Sequence, residues 1–207
     1  MKTFIFLITA ATLFAISSCN TSKENPSDSS TASANLPSGW FITGDNAESY
    51  SMGIDSGSGQ DGKNTATIKS IEKSIKGFGT LMQWCKADKY KGKQIKMTGS
   101  MKSANVKDWA GFWLRIDQEG SGEPLGFDNM MDRGIKKTTD WKTYEIVMDV
   151  PTNASRLAYG ALLSGTGQIW FDNMAFEIVS DSIKSSSPVK QKETSILNEP
   201  DNLNFEK

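Results

Sequence analysis

The stretch Trp109-Ala110-Gly111-Phe112-Trp113-Leu114-Arg115-Ile116-Asp117 limits the fold of this chain more than any other. Successive side chains of a strand point to opposite faces. Ala110, Phe112, Leu114 and Ile116 then make one wholly apolar face, predicted to be core. Trp109, Gly111, Trp113, Arg115 and Asp117 make the other. Two tryptophans, a cation and an acid are an unusual mixture for a face turned away from the core. Lys93–Lys102 alternates in the same way, with Ile95, Met97, Gly99 and Met101 against Lys96, Thr98, Ser100 and Lys102. This is the pattern of a half-buried antiparallel strand. Further strands are predicted over 48–55, 65–70, 79–85, 141–150, 156–163 and 168–178, with weaker ones over 41–43 and 124–129. Turn residues separate them, as in Ser56–Gly62, Lys91–Lys93 and Ser164–Gly167. About eight to ten short strands at this spacing predict an all-β fold, an antiparallel β-sandwich.

The amino terminus reads as an address. Lys2 supplies a positive charge, and Phe4–Ile16 is apolar. That run is shorter than the ~20 residues a spanning helix needs. Ile16-Ser17-Ser18-Cys19 follows and resembles the lipobox of bacterial lipoproteins. The resemblance implies a signal peptide over 1–18, acylation (palmitate) of Cys19, and a membrane partner through a lipid anchor. Asn20, where Asp is absent, resembles sorting to the outer membrane. Residues 19–35 are rich in Ser, Thr, Asn, Ala and Lys and read as a flexible tether. The β-sandwich is expected over 36–179 and a polar, disordered tail over 180–207.

Composition narrows the chemistry. The chain has no histidine, which excludes Ser-His-Asp and Cys-His catalysis and histidine-containing zinc sites. With 23 basic and 24 acidic residues, nothing favours a nucleic-acid partner. Asp128 and Asp132 read as a solvated acidic loop rather than a catalytic carboxylate pair, so no enzyme is expected. Cys85, left without a cysteine partner once Cys19 is lipidated, reads as a small buried hydrophobe.

Two segments carry a further resemblance. One is Thr138-Thr139-Asp140-Trp141-Lys142-Thr143-Tyr144, followed by Val150-Pro151. The other is Gly167-Gln168-Ile169-Trp170-Phe171-Asp172-Asn173. They resemble the second half of galactose-binding-like jelly-roll domains, the fold of many carbohydrate-binding modules. Phe127-Asp128-Asn129-Met130 and Arg133 resemble a subset found as an accessory domain in Bacteroidetes exported proteins. The resemblance implies a jelly roll over about 40–179. It also implies a structural calcium held by the closing acid and an early glutamate. Asp172 stands at the closing position, but the early glutamate is missing from its usual place. The Asn-x-x-Phe-Glu opening that should precede Gly39-Trp40 is missing too, whereas Asn202-Leu203-Asn204-Phe205-Glu206 at the far end looks like it. That segment either supplies an edge strand or begins a second domain, the second being the favoured reading.

The functional expectation is a non-catalytic binding module that takes a glycan on its aromatic non-core face. Stacking on a sugar needs flat rings with polar groups beside them. Trp109, Trp113, Arg115 and Asp117 supply both, joined by Trp84, Gln83, Asn129 and Arg133 if their strands lie alongside. The alternatives are a protein-interaction or accessory domain of a cell-envelope assembly, or a remnant of a larger exported enzyme.

Overall fold

A computed structural model describes residues 35–180 and 197–207. Residues 1–18 and Cys19, expected to be a signal peptide and its lipidation site, and most of the expected tether lie outside the described residues. The strands are β1 (Phe41–Thr43), β2 (Tyr50–Asp55), β3 (Thr65–Ser70), β4 (Phe78–Lys86), β5 (Lys93–Asp117), β6 (Gly126–Asp128), β7 (Ile135–Val150), β8 (Arg156–Ser164) and β9 (Gln168–Ser180). Single 3-10 turns lie at Ala47–Ser49 and Met131–Arg133, and there is no α-helix among the described residues.

The strands predicted over 93–102 and 109–117 are one strand of 25 residues, β5. Its register against β7 slips between Met101 and Ser103, Ser103 and Val106, and Val106 and Ala110. Asn105 adopts φ 54° in this stretch. Such bulges bend a strand and raise its twist, and here they carry β5 from one layer of the sandwich to the other. Its first half pairs with β7 and β9, and β9 continues to β3 and β2. Its second half pairs with β8 and β6, and β8 continues to β4 and β1. Every pairing between these nine strands is antiparallel, and the architecture is the expected jelly-roll β-sandwich.

The alternation in β5 is the reason for the core. Ala110, Phe112, Leu114 and Ile116 are fully buried, as are Ile95, Met97 and Met101. Gly99 keeps their phase because the Phe112 ring occupies its side-chain space; a Cβ there would sit 2.6 Å from the ring. Phe112 meets Phe171 of the facing layer edge-on at 6.0 Å, and Tyr159 meets Phe176 at 4.8 Å. Cys85 is buried in the same core, as expected, and burial pushes its thiol up to about 12.

The expected polar tail does not hold for 197–207, which are built into this domain. Leu197 bridges Cys85 in parallel, and the Lys86 N–H donates to the Leu197 carbonyl at 2.7 Å. Phe205 is fully buried, with its ring 5.0 Å from Trp40 and 5.1 Å from Phe171. The Trp40 indole donates to the Asn202 carbonyl (3.2 Å), and the Asn202 amide donates to the carbonyls of Ser38 and Lys207. The Ser38 N–H in turn reaches the Lys207 carbonyl. Asn202–Glu206 thus lies against Gly39-Trp40, beside the position where the resemblance places an opening strand. It arrives from the other end of the chain. Apolar burial explains the exception to the polar trend: Leu203 and Phe205 had a core to enter.

Candidate functional site

The outward face of the layer β1-β4-β8-β5-β6 forms a cleft of about 680 Å³. Antiparallel register sets its lining. Directly opposed residues share a face, which gives three rows across the sheet. Thr43, Thr80, Leu162 and Gly111 form the first row; Phe41, Met82, Gly160 and Trp113 the second; Trp84, Ala158, Arg115 and Phe127 the third. Two outward positions of β8, Ala158 and Gly160, are small and buried beneath the surrounding apolar side chains. Ala158 and Gly160 lie between Trp84 on β4 and Trp113 on β5. A Cβ on Gly160 would stand 2.3 Å from the Leu81 carbonyl oxygen, so no larger residue fits.

Of the residues predicted from sequence, Trp109, Trp113, Arg115 and Asn129 line the cleft together. Trp113 is only 7% exposed and donates its indole N–H to the Thr80 hydroxyl at 2.8 Å. It is floor, packed with Met82, Ala158 and Leu162, rather than an open stacking platform. Trp84 belongs to the same apolar group, with its ring 4.6 Å from Phe41 and the Arg156 guanidinium 4.8 Å above it. Asp117 lies one row beyond Arg115, where it takes the Arg156 guanidinium at 2.9 Å and the Arg115 guanidinium at 3.1 Å.

Two predictions fail on position. Gln83 faces the core, because it alternates with Met82 and Trp84. It is fully buried, receives the Tyr159 hydroxyl and the Asp201 N–H, and donates to the carbonyls of Gly39 and Asp201. Arg133 lies outside the cleft, paired with Asp128 at 2.7 Å and Asp132 at 3.0 Å. Burial alone would raise the Asp128 carboxyl, but the Arg133 guanidinium and the Met130 N–H outweigh it and hold the group below the usual carboxylate range. The sequence reading missed Phe78, Met82, Phe127, Met131 and Leu162. Phe127 and Met131 stand at the rim with more than half their surface exposed.

Asp172 is buried and accepts the Asn173 N–H at 2.6 Å. Burial pushes its carboxyl up to about 6; Asp61 and Glu206 add to the rise and Lys63 opposes it. Glu206, in the carboxyl-terminal segment, is thus one of the charges that act on the closing acid. Among the described residues, however, no three acidic, cysteine or histidine side chains converge on one point. Carboxylates of the described residues alone therefore do not make up a calcium cage around Asp172.

The remaining tryptophans lie elsewhere. Trp40 is in the core. Trp141 and Trp170 flank Lys102 in the other layer, with the ammonium 5.0 and 4.9 Å from the ring centres, and the Trp170 indole donates to Asp55.

No family model matches the chain. An uncharacterized HTH-type transcriptional regulator of Bacillus subtilis (strain 168), YbfP, is 39% identical over 169 residues, which are 81% of this chain and 56% of that protein. The chain therefore spans about half the length of that relative. The CBM22-1 xylan-binding domain of Paenibacillus barcinonensis Xyn10C superposes with a TM-score of 0.51 at 13% identity, over 70% of this chain and 89% of that domain. The CBM22-1–GH10 modules of Clostridium thermocellum Xyn10B, complexed with xylohexaose, superpose with a TM-score of 0.50 at 12% identity, over 70% and 27%. At these identities the likeness is one of fold, and the chain carries the jelly-roll sandwich of these carbohydrate-binding modules.

Proposed function

We propose that this chain is a membrane-tethered, non-catalytic module that binds a glycan in the cleft of the β1-β4-β8-β5-β6 layer. The observation that carries the reading is the cleft's build. Aromatic and apolar side chains line it, and Arg115 and Asn129 offer polar contacts at its edge. Sugar rings present apolar faces and hydroxyl rims, and such a lining suits both. The solved modules of this fold include a xylan-binding domain, which supports the class of ligand and leaves its identity open.

Phe127 gives the cleanest test. Its ring is 53% exposed on the short strand β6, so its loss costs the core little. In calorimetric titration against a panel of plant and microbial polysaccharides, Phe127→Ala should weaken binding about tenfold with an unchanged melting curve. Equal binding by both proteins would reject the cleft. The apolar rim formed by Phe127 and Met131 also suits a protein partner. That reading gains if the whole panel is silent with a folded protein.

The tether rests on the order of Lys2, Phe4–Ile16 and Ile16-Ser17-Ser18-Cys19. Cys19→Ala should move the protein from the membrane fraction to the soluble fraction and abolish palmitate labelling. Retention of both would remove the anchor from the proposal.

A further inference from the structure

The cleft is electrically lopsided. One end is lined by Asp45. At the other end the row beyond Arg115 holds Lys86, Arg156 and Asp117, set side by side by the register of β4, β8 and β5. Lys86, Arg115 and Arg156 are three cations sharing one face with a single carboxylate. Asp117 is spent: Arg156 holds it through Nε at 3.1 Å and Nη2 at 2.9 Å, and Arg115 reaches the same oxygen through Nη2 at 3.1 Å. Arg115 Nε lies 2.9 Å from the other Asp117 oxygen but off the hydrogen-bond direction, and it has no aligned acceptor. No described residue accepts from Arg115 Nη1 or from the Lys86 ammonium. The Arg115 side chain keeps 40% of its surface open at the cleft. The Asp117 clamp fixes its plane, and a planar guanidinium held in place is suited to a forked oxyanion. Beside it Phe127 gives the sugar ring apolar surface. The overall net charge of −1 means that this excess is local rather than a general affinity for polyanions.

We infer that the cleft takes an acidic glycan, with an anionic group of the sugar, carboxylate or sulfate, seated at Arg115 and the Arg156–Lys86 end. This inference rests on the glycan reading of the cleft and adds the class of sugar.

The test uses the full chain and matched polymers: polygalacturonate, alginate and glucuronoxylan, each with its carboxyl-esterified or carboxyl-reduced form, and a sulfated galactan with its desulfated form. Binding is measured by titration at physiological salt. At least one acidic polymer should bind, and about tenfold less tightly once neutralised. Arg115→Gln should cause a similar loss. Lys86→Gln, which breaks no ion pair, should shift affinity the same way by less, and it keeps the test open if Arg115→Gln folds poorly. A preference among the carboxylated pairs identifies a uronate; one confined to the galactan pair identifies a sulfate. If neutral and acidic forms bind equally and Phe127→Ala weakens both, the glycan reading stands and the acidic class is overturned. If acidic polymers bind Phe127→Ala undiminished, the contact is ionic adsorption outside the cleft and the inference fails. If no polymer binds, both readings fall.

Discussion

Phe205→Ala is expected to destabilise the domain by about 3–5 kcal/mol, the range for removing a fully buried aromatic ring from a packed core. Phe205 is two residues from Lys207, the last residue of the sequence, and an effect of this size is unusual for such a position. The reason is its surroundings. The ring is inaccessible and packs against Trp40 and Phe171, and Trp40 in turn meets Tyr159 at 6.0 Å across the sandwich. Alanine would leave a cavity bounded by rings that cannot all close in. The polar half of the contact adds to this. Asn202 holds the carbonyls of Ser38 and Lys207 and receives the Lys207 N–H at 3.0 Å, so it ties the two ends of the described fold together. Urea titration reads the effect: the midpoint should fall while the slope stays that of the wild-type protein. A loss under about 1 kcal/mol would mean that the segment rests on the surface and is not part of the core.

The second large effect depends on pH. Burial chiefly raises the Asp172 carboxyl from the ordinary carboxylate range to about 6. Its charged form is therefore less favourable folded than unfolded. Below the unfolded value both states are protonated and no penalty exists. As pH rises from about 4 through about 6, the unfolded state ionises first and the folded state is progressively penalised. Above about 6 the penalty is complete, on the order of 3 kcal/mol for a shift of about two units. Stability should therefore increase as the protein is taken from pH 7 toward pH 4.5. The carboxyls of Asp61, Asp128 and Asp201 are lowered, so they reduce stability only at more acid pH. Asp172→Asn keeps an acceptor for the Asn173 N–H and removes the charge. It should melt higher than wild type at pH 7, and the two curves should converge near pH 4. The measurement is a pair of melting series in chelator. A variant less stable than wild type at pH 7 would show that the charged carboxylate has a favourable partner.

Much of the fold was legible because strand periodicity is local. The faces of β5 could be assigned from its nine-residue run, and Phe112, Leu114 and Ile116 are buried where alternation puts them. Alternation also separates Gln83 from Trp84, since neighbours on a strand face opposite sides. What period two cannot give is which strands are neighbours. Thr43 and Phe127 enter the cleft only because β1 pairs with β4 and β6 with β5, and both strands have only three residues. For the same reason the exposure of Trp113 could not be read: it depends on Met82, Thr80 and Leu162, brought from two other strands. The carboxyl-terminal segment was legible as a motif, since Asn202–Glu206 matched an opening missing from the other end. A sequence reading has no means of placing it beside Trp40, because that contact spans 162 positions.

The six tryptophans report on the location of the ligand independently of any mutation. Their indole N–H signals can be followed by NMR as an oligosaccharide selected from the panel is titrated in. A glycan in the cleft should shift the signals of Trp84, Trp109 and Trp113 and leave those of Trp40, Trp141 and Trp170 in place. Shifts confined to Trp141 and Trp170 would contradict the cleft and move the binding site to the other layer.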